Sequence, residues 1–154
     1  MMESFEDLQD LEEVLAPYME RFEWRDDYRL DAFVQPGNLI IAVSSLMDHG
    51  WRYLSAITGL DSPAAEGSAA EGKIELLYQF CEGPFIMTLR IAVPYSHPVA
   101  PSICGLIPSA TLYERELIEM FGVVLEGTPS TDRLLLPDDW PDGVYPLRKS
   151  FKGL

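Results

Sequence analysis

The apolar residues at the start of the chain recur at the spacing of a helix. From residue 3 to residue 22 they stand three or four positions apart on an acidic background, which predicts one amphipathic helix. Pro17 lies inside this stretch, and we expect a kink or a break there because proline disrupts a helix interior. Two apolar runs follow, residues 28–34 and 39–43. The turn-forming sequence Gln-Pro-Gly-Asn lies between them, and together they predict two strands joined by a turn.

The middle of the chain alternates between helix and strand signals. A second helix is predicted to begin at Ser44 or Ser45, with Gly59 as the residue that ends it. Two further apolar runs, residues 73–80 and 85–93, are separated by a Cys-Glu-Gly-Pro turn. They predict a hairpin whose strands are covered by helices.

Loops and one well-marked helix complete this part of the chain. Residues 61–72 are mainly Ala, Gly, Ser and Glu, which is typical of a surface loop. Residues 102–107 predict a short strand, and Ser109 then stands in position to cap a third helix that runs to Phe121. Gly122 follows the last apolar residue of that helix and is predicted to end it.

The character of the sequence changes beyond Gly127. Prolines and glycines exclude a helix or a central strand from residues 127–154, although the segment is rich in leucine and aromatic residues. That is too much apolar surface for a solvated tail, so an extended arm lying on a protein surface is predicted. The fold class predicted is α+β. Residues 1–126 form a globular domain in which a mixed or antiparallel sheet of hairpins packs with about three helices, and residues 127–154 form an extended C-terminal arm for partner binding.

The charge balance narrows the classes of function. The 154 residues include 25 acidic and 11 basic side chains, which gives a net charge of −14. Nucleic-acid phosphates and anionic lipids attract Lys and Arg, so this charge disfavours binding to either. No basic region leads into an apolar run at the N-terminus, and no apolar stretch approaches the roughly 20 residues that span a bilayer. We therefore expect neither a signal peptide nor a membrane span.

Few residues are suited to bind a metal or a cofactor. Cys81 and Cys104 stand without a CxxC pair, and free buried thiols are favoured over a disulfide. An iron–sulfur cluster normally requires about four thiolates, so neither cysteine is expected to ligate one. His49 and His97 are the only histidines and lack the spacing of a zinc site. The sequence also lacks GxGxxG and P-loop motifs.

The densest group of charged residues lies on the third predicted helix, at Glu114, Arg115, Glu116 and Glu119. Arg115 and Glu119 are four positions apart, which allows a helix-surface ion pair. Two of the carboxylates are candidates for general acid and base catalysis. A structural network that binds loop backbone is favoured over that role, because no nucleophile or oxyanion site stands nearby in the sequence.

The C-terminal arm combines apolar, aromatic and basic residues, and its cations reverse the acidic trend of the chain. Buried aromatic residues and arginines are the usual anchors of protein interfaces. We therefore expect the arm to supply apolar contact and to pair its cations with acids on a partner. Its candidate partner-binding residues are Arg133, Leu134, Leu135, Pro137, Trp140, Tyr145, Pro146, Leu147, Arg148, Lys149 and Phe151.

Three ordered blocks of the sequence resemble one family. Residues 113–122, Tyr-Glu-Arg-Glu-Leu-Ile-Glu-Met-Phe-Gly, are similar to the signature helix of the 30 kDa subunit of respiratory complex I, an NADH:quinone oxidoreductase. Residues 133–140 and 146–149 resemble the C-terminal run of that family in order and spacing. The resemblance assigns to the family signature the residues Glu114, Arg115, Glu116, Glu119 and Gly122.

This resemblance implies a role inside a larger enzyme. Such a chain is a cofactor-free structural and assembly subunit of the peripheral arm of the complex, and it catalyses nothing alone. The complex transfers electrons from NADH to quinone with proton translocation, and it uses FMN and iron–sulfur clusters. The implied partners are the large quinone-site subunit of the complex and other peripheral-arm subunits. The implied location is the cytoplasmic side of the cell membrane, with attachment to the membrane only through the complex.

Three alternatives stay open. The equivalent subunit of an energy-converting membrane-bound hydrogenase shares the Glu-Arg-Glu helix and the Pro-Leu-Arg-Lys tail. A stand-alone carboxylate-dependent hydrolase would use Glu114, Glu116 or His97 and would be active as the purified chain. A free-standing interaction module would fold residues 127–154 back onto its own core.

Overall fold

A computed structural model describes residues 5–154, with side chains from residue 8 onward. The described residues form three helices and seven strands, and among them no helix is both long and apolar enough to cross a membrane. The helices are α1 (Phe5–Leu15), α2 (Leu39–Asp48) and α3 (Thr111–Phe121). The strands are β1 (Met19–Asp26), β2 (Arg29–Val34), β3 (Tyr53–Ser62), β4 (Lys73–Glu82), β5 (Phe85–Pro94), β6 (Val99–Pro101) and β7 (Val124–Glu126).

Five strands form one mixed sheet in the order β1-β2-β5-β4-β3. β1 and β2 are antiparallel, whereas β2 and β5 are parallel. Gly83 and Pro84 alone connect β4 to β5, and so short a connection reverses the chain, so these neighbours are antiparallel. The predicted α+β fold, with three helices and a mixed sheet that includes hairpins, is confirmed.

The chain divides into two compact units. Unit 1 comprises Met1–Ile57 and Leu77–Ile91, and unit 2 comprises Thr58–Leu76 and Ala92–Leu154. The segment predicted to be a C-terminal arm, residues 127–154, falls entirely within unit 2.

Unit 1 contains two helices whose apolar faces are buried. Leu8, Leu11 and Leu15 lie on one face of α1 and are at most 2% exposed. α2 buries the positions i, i+3, i+4 and i+7 that define one helix face, and α1 contacts α2. The buried residues of α2 are Leu39, Ala42, Val43 and Leu46.

Unit 2 contains a second, two-stranded sheet in which β6 and β7 are parallel. Parallel neighbours need a crossover connection, and α3 lies in the one that joins these strands. Gly122 adopts a left-handed conformation with φ 69°, and its N–H donates to the carbonyl of Ile118. α3 therefore ends at Phe121 and is followed by a glycine, as predicted.

The strand predicted over residues 39–43 is wrong, because these residues begin α2. Ile40 and Ile41 are 38% and 45% exposed while the residues on either side of them are buried, which is the periodicity of a helix. The β-branched residues favoured a strand, and the packing of a helix face overrode that preference. The 3₁₀ turn at Pro36–Asn38 leads into this helix and does not close a hairpin.

The helix predicted to continue to Gly59 is also wrong. α2 ends at Asp48, and Gly50, with φ 92°, is the glycine that follows its end. Leu54 and Ile57 are buried, as expected, but they belong to strand β3. That strand reaches Ser62, so the loop predicted from residue 61 begins two residues later.

The helix predicted over residues 3–22 is correct only in part. α1 ends at Leu15, and the 3₁₀ turn at Ala16–Tyr18 contains Pro17, which lacks the N–H that a continuing helix needs. The break predicted at Pro17 is confirmed, but β1 replaces the rest of the helix. The first two residues of this prediction lie outside the described part of the chain.

Two local predictions before α3 are wrong. Residues 102–107 contain a turn at residues 104–106 and no strand, and the strand lies earlier, at Val99–Pro101. The carboxylate of Glu114 binds the N–H of Ile103, which removes that group from any strand pairing. The predicted cap, Ser109, lies in a 3₁₀ turn ahead of α3, and the helix begins without a side-chain cap.

We predict that Gly59→Ala destabilises the fold and that Gly37→Ala does not. A Cβ at Gly59 would lie 2.8 Å from Cζ of Phe121 and closer still to two other ring carbons, whereas a Cβ at Gly37 meets open space. Overpacking of this kind costs about 1–3 kcal/mol. Urea unfolding of the two variants measures the difference. Equal free energies of unfolding would show that the Phe121 ring does not occupy this position.

Candidate functional site

The residues singled out on α3 and at the end of the chain meet in unit 2. We call residues 127–154 the C-terminal arm. It contains no helix or strand, and hydrogen bonds from side chains of α3 and β3 hold its main chain. Further main-chain contacts join it to the end of α3.

Glu114 is fully buried and binds the loop that precedes α3. Its Oε1 accepts the N–H of Ile103 at 2.8 Å. Its Oε2 accepts the hydroxyl of Ser102 at 2.8 Å and the thiol of Cys104 at 3.2 Å. A buried carboxylate is costly unless donors surround it, and these three donors meet that need. Glu114 therefore fixes this loop to the helix.

Arg115 and Glu119 together bind the main chain of four consecutive residues of the C-terminal arm. Arg115 donates from Nε and Nη2 to the carbonyl oxygens of residues 132–133, at 2.8 and 2.6 Å. Glu119 accepts the N–H groups of residues 134–135 at Oε1 and Oε2, at 2.7 and 2.9 Å. The spacing i, i+4 places the two side chains next to each other on the helix. The cation meets the carbonyls and the anion meets the N–H groups, so the charges match the peptide dipoles.

This geometry is unsuited to acid–base catalysis. Glu114 and Glu119 are 0% and 8% exposed, and main-chain N–H groups occupy oxygens of both carboxylates. A general base must reach a proton of its substrate, and these groups instead hold segments of their own chain. Glu116, the remaining acid of the cluster, is half-buried on the same helix.

The C-terminal arm caps the end of α3. The N–H of Leu147 donates to the carbonyl of Met120 at 3.1 Å, and Nε of Arg148 donates to the carbonyl of Phe121 at 2.6 Å. The last carbonyls of a helix lack partners within it, and its C-terminal end attracts cations. Arg148 satisfies both requirements.

Two aromatic rings contact Arg148, and one of them also explains why residue 122 is a glycine. The guanidinium carbon lies 5.2 Å from the ring centroids of both Tyr95 and Tyr145, within cation–π range. The ring of Tyr145 also covers Gly122, where a Cβ would lie 2.7 Å from Cδ2 of the ring and closer to two other carbons. Any side chain at this position would displace the arm as well as strain the backbone.

Asp61 on β3 is a further anchor, and sequence reasoning missed it. It is 4% exposed, its Oδ2 accepts the N–H of Lys149 at 2.7 Å, and its Oδ1 accepts the hydroxyl of Tyr95. Burial raises the pKa of Tyr95 to about 12, and the hydrogen bond to the Asp61 carboxylate adds to the rise. Neither residue belongs to a recognisable motif, and Asp61 stood in a segment predicted as a loop.

The C-terminal arm also packs on itself. The indole N–H of Trp140 donates to the carbonyl of Val144 at 2.8 Å, and its ring centroid lies 6.0 Å from that of Phe151. Arg133 donates to the carbonyl of Trp140 at 2.9 Å and lies 3.5 Å from the Asp142 carboxylate. Arg133 therefore holds the arm in shape.

Several predicted partner-binding residues are exposed, although the main chain that bears them is held. Leu135 and Leu147 are 61% and 52% exposed, and Pro137 and Lys149 are also exposed. The N–H groups of Leu135 and Leu147 both bind α3. The half-buried members of the predicted set are Arg133, Leu134, Trp140, Tyr145, Pro146, Arg148 and Phe151.

The candidate metal ligands do not come together. Cys81 and Cys104 are both free; Cys104 is buried and Cys81 half-buried. Burial raises the pKa of the Cys104 thiol. Nδ1 of His49 lies 2.8 Å from the carbonyl oxygen of Ser45. From residue 5 onward, no three His, Cys, Asp or Glu side chains are grouped so as to hold a metal ion.

Comparison with known proteins identifies the class. The family model for the respiratory-chain NADH dehydrogenase, 30 Kd subunit, matches residues 32–154. The chain belongs to this family, and the resemblance inferred from its three sequence blocks is confirmed. It is similar to the corresponding NADH-quinone oxidoreductase subunit of Moorella thermoacetica, with 31% identity over 134 residues, which cover 84% of this chain and 85% of that protein.

Two further similarities are to a hydrogenase subunit and to a chain of a sulfur reductase, both described as membrane-bound. Membrane-bound hydrogenase subunit beta of Pyrococcus furiosus is 41% identical over 68 residues, which cover 44% of this chain and 39% of that protein. A solved chain of the membrane-bound sulfane sulfur reductase, an archaeal respiratory membrane complex, has a TM-score of 0.81 and 26% identity. That match covers 97% of this chain and 85% of the solved chain.

Family membership distinguishes between the alternative functions better than the fold does. It confirms the complex I interpretation, keeps the hydrogenase relative as its alternative and gives no support to a hydrolase. The C-terminal arm is part of unit 2 and is bound by α3 and β3 of its own chain, as a free-standing module would require. That contact alone does not separate a module from a subunit.

We predict that Glu119→Gln frees the start of the C-terminal arm. An amide has one acceptor oxygen where the carboxylate has two, so the N–H of Leu134 or of Leu135 loses its partner, at a cost of about 1–3 kcal/mol. Hydrogen exchange should accelerate at these two amides. The matched control is Glu116→Gln on the same helix, which should leave both amides protected. Unchanged exchange in Glu119→Gln would contradict the anchoring role.

We also predict that the chain loses stability in alkaline solution between pH 10 and pH 12. The pKa of Tyr95 is raised from 10.0 to about 12 in the folded chain. The folding stability that this rise contributes is therefore fully present below pH 10 and is lost as the pH rises through 12. Ionisation would place a second negative charge beside Asp61. Ultraviolet titration should show a tyrosinate that forms near pH 12 in the wild-type chain and is absent from Tyr95→Phe. A titration curve that Tyr95→Phe leaves unchanged near pH 12 would refute this assignment.

Proposed function

We propose that this chain is a cofactor-free structural and assembly subunit of a complex I type NADH:quinone oxidoreductase. It supports electron transfer from NADH to quinone, coupled to proton translocation, and catalyses no step by itself. FMN, the iron–sulfur clusters and the NADH and quinone sites belong to other subunits of the complex. The chain lies on the cytoplasmic side of the cell membrane and reaches the membrane only through the complex.

The attachment of the C-terminal arm is the observation that carries this proposal. Its main chain is bound by Arg115, Glu119 and Asp61, while Leu135 and Leu147 remain more than half exposed. A segment already ordered before it binds loses little conformational entropy on association, which favours affinity. Exposed leucines on an ordered segment are suited to fill pockets of a partner.

The proposed partner is the large subunit that forms the quinone site, with further contacts to other subunits of the peripheral arm. Family membership supports an assembly of this type. In the assembly, the exposed leucines and Pro137 would supply apolar contact, and Lys149 would meet an acid of the partner. Arg133 and Arg148 contribute by keeping the arm in its bound shape.

The second candidate function is the equivalent subunit of a membrane-bound hydrogenase type complex. The 41% identity to the Pyrococcus furiosus subunit and the TM-score of 0.81 to the sulfane sulfur reductase chain favour it. The same surface would then hold a large subunit with a nickel–iron site. The two candidates differ in the partner and share the structural role of this chain.

Affinity purification of the tagged chain from its host, after mild detergent extraction, tests the proposal. Mass spectrometry should identify a large quinone-site subunit with flavin and iron–sulfur partners. Recovery of a nickel–iron subunit would favour the hydrogenase relative. Recovery of the chain alone, from an extract in which complex I is intact, would overturn the structural-subunit role.

We predict that Leu135→Asp combined with Leu147→Asp abolishes recovery of the large subunit while the chain stays folded. Both side chains are exposed, so the free chain should tolerate the charges, whereas a desolvated carboxylate in an interface without a partner is strongly unfavourable. Ile41→Asp on α2, at 45% exposure, is the matched control and should retain the partner. Full recovery by the double variant would exclude these leucines from the interface.

A further inference from the structure

The end of the C-terminal arm forms a cleft whose lining is largely apolar and includes three basic residues. We call it the basic cleft. It is lined by Pro63, Tyr95, Arg148, Lys149, Ser150 and Lys152. A neighbouring cleft shares Arg148, Ser150 and Lys152, so these residues stand between two recesses.

The basic cleft differs in charge from the rest of the chain. Residues 146–154 contain three of the 11 Lys and Arg residues and none of the 25 Asp and Glu residues. Within the described part of the chain, no ion pair joins Arg148, Lys149 or Lys152 to a carboxylate. A local positive region therefore exists on a protein whose net charge is −14.

Hydrogen bonds hold the main chain at Lys149 and the guanidinium of Arg148. The N–H of Lys149 donates to the Asp61 carboxylate, whereas its ammonium group lies at the end of an exposed side chain. Arg148 uses its Nε–H on Phe121, and a guanidinium has four further N–H donors. Asp61 is the acid in contact with this region, and its two oxygens are occupied by Lys149 and Tyr95.

We propose that the basic cleft receives an acidic segment of the large partner subunit. An Asp or Glu of that segment would pair with Lys149 and Lys152, and an adjacent apolar side chain would rest on Tyr95 and Pro63. The inference rests on the proposed function and adds the chemistry of the segment that is bound. Charge complementarity of this kind selects the partner and fixes its orientation.

An anionic lipid headgroup would offer similar charge, but the chain is unsuited to a membrane surface. Juxtamembrane segments that bind anionic lipids carry about 4–8 clustered Lys and Arg residues. Residues 146–154 carry three, and the remainder of this acidic chain would be repelled by such a surface. The observations therefore favour an acidic protein segment.

The lysine content permits a sharp test, since the chain has only Lys73, Lys149 and Lys152. Acetylation by an N-hydroxysuccinimide ester is compared, residue by residue, between the purified complex and the free chain. Lys149 and Lys152 should react at least about tenfold more slowly in the complex, with Lys73 as the internal reference. Carbodiimide cross-linking should then join one of them to an Asp or Glu of the large subunit.

Matched variants distinguish an effect of lost charge from an effect on folding. The double change Lys149→Gln and Lys152→Gln should lower recovery of the large subunit about tenfold at moderate salt, because a positive pair is lost. The double change to Arg keeps the charge and should retain the partner. Lys73→Gln, outside the cleft, should have no effect.

An intact complex in which both lysines react as fast as in the free chain overturns this inference and leaves the proposed function standing. Recovery of the chain without any large subunit overturns the proposed function and this inference with it. Flotation of the free chain with phosphatidylglycerol vesicles, lost in the double Gln variant, would make the cleft a lipid site and the proposal wrong.

Discussion

Unit 2 depends on hydrogen bonds from side chains of α3 to the main chain of its neighbours. The loop before α3 and the C-terminal arm after it contain prolines and glycines and have little regular structure, so their peptide groups need other partners. Glu114 binds the main chain of the loop, and Arg115 and Glu119 bind the main chain of the arm. One short helix thus orders both segments.

Helices and strands were predicted correctly where the spacing of apolar residues agrees with the packing of the folded chain. β4, β5 and α3 were predictable because their apolar residues repeat at the spacing of the element that forms. Residues 39–43 were mispredicted because branched side chains favoured a strand at Ile40 and Ile41, where the burial of one helix face decides the structure. That Gly59 lies against the ring of Phe121 could not be predicted, because this contact joins residues distant in the chain.

The candidate site was predictable only where its residues cluster. Glu114, Arg115 and Glu119 stand together and match a family pattern, so sequence alone could single them out. Asp61 could not be found, because its partners lie 34 and 88 positions further along the chain. The contact of Arg148 with the end of α3 was likewise invisible, since sequence shows a cation but not the helix end beside it.

Main-chain recognition by Arg115 and Glu119 has an evolutionary consequence. Every residue has a peptide group, so the attachment of residues 132–135 does not require particular side chains there, although proline would remove an N–H at 134 or 135. Substitutions at these positions can remodel the outward surface while the attachment persists. A single scaffold can thereby be adapted to large subunits of different chemistry, which accords with its similarity both to quinone-reducing and to hydrogenase assemblies.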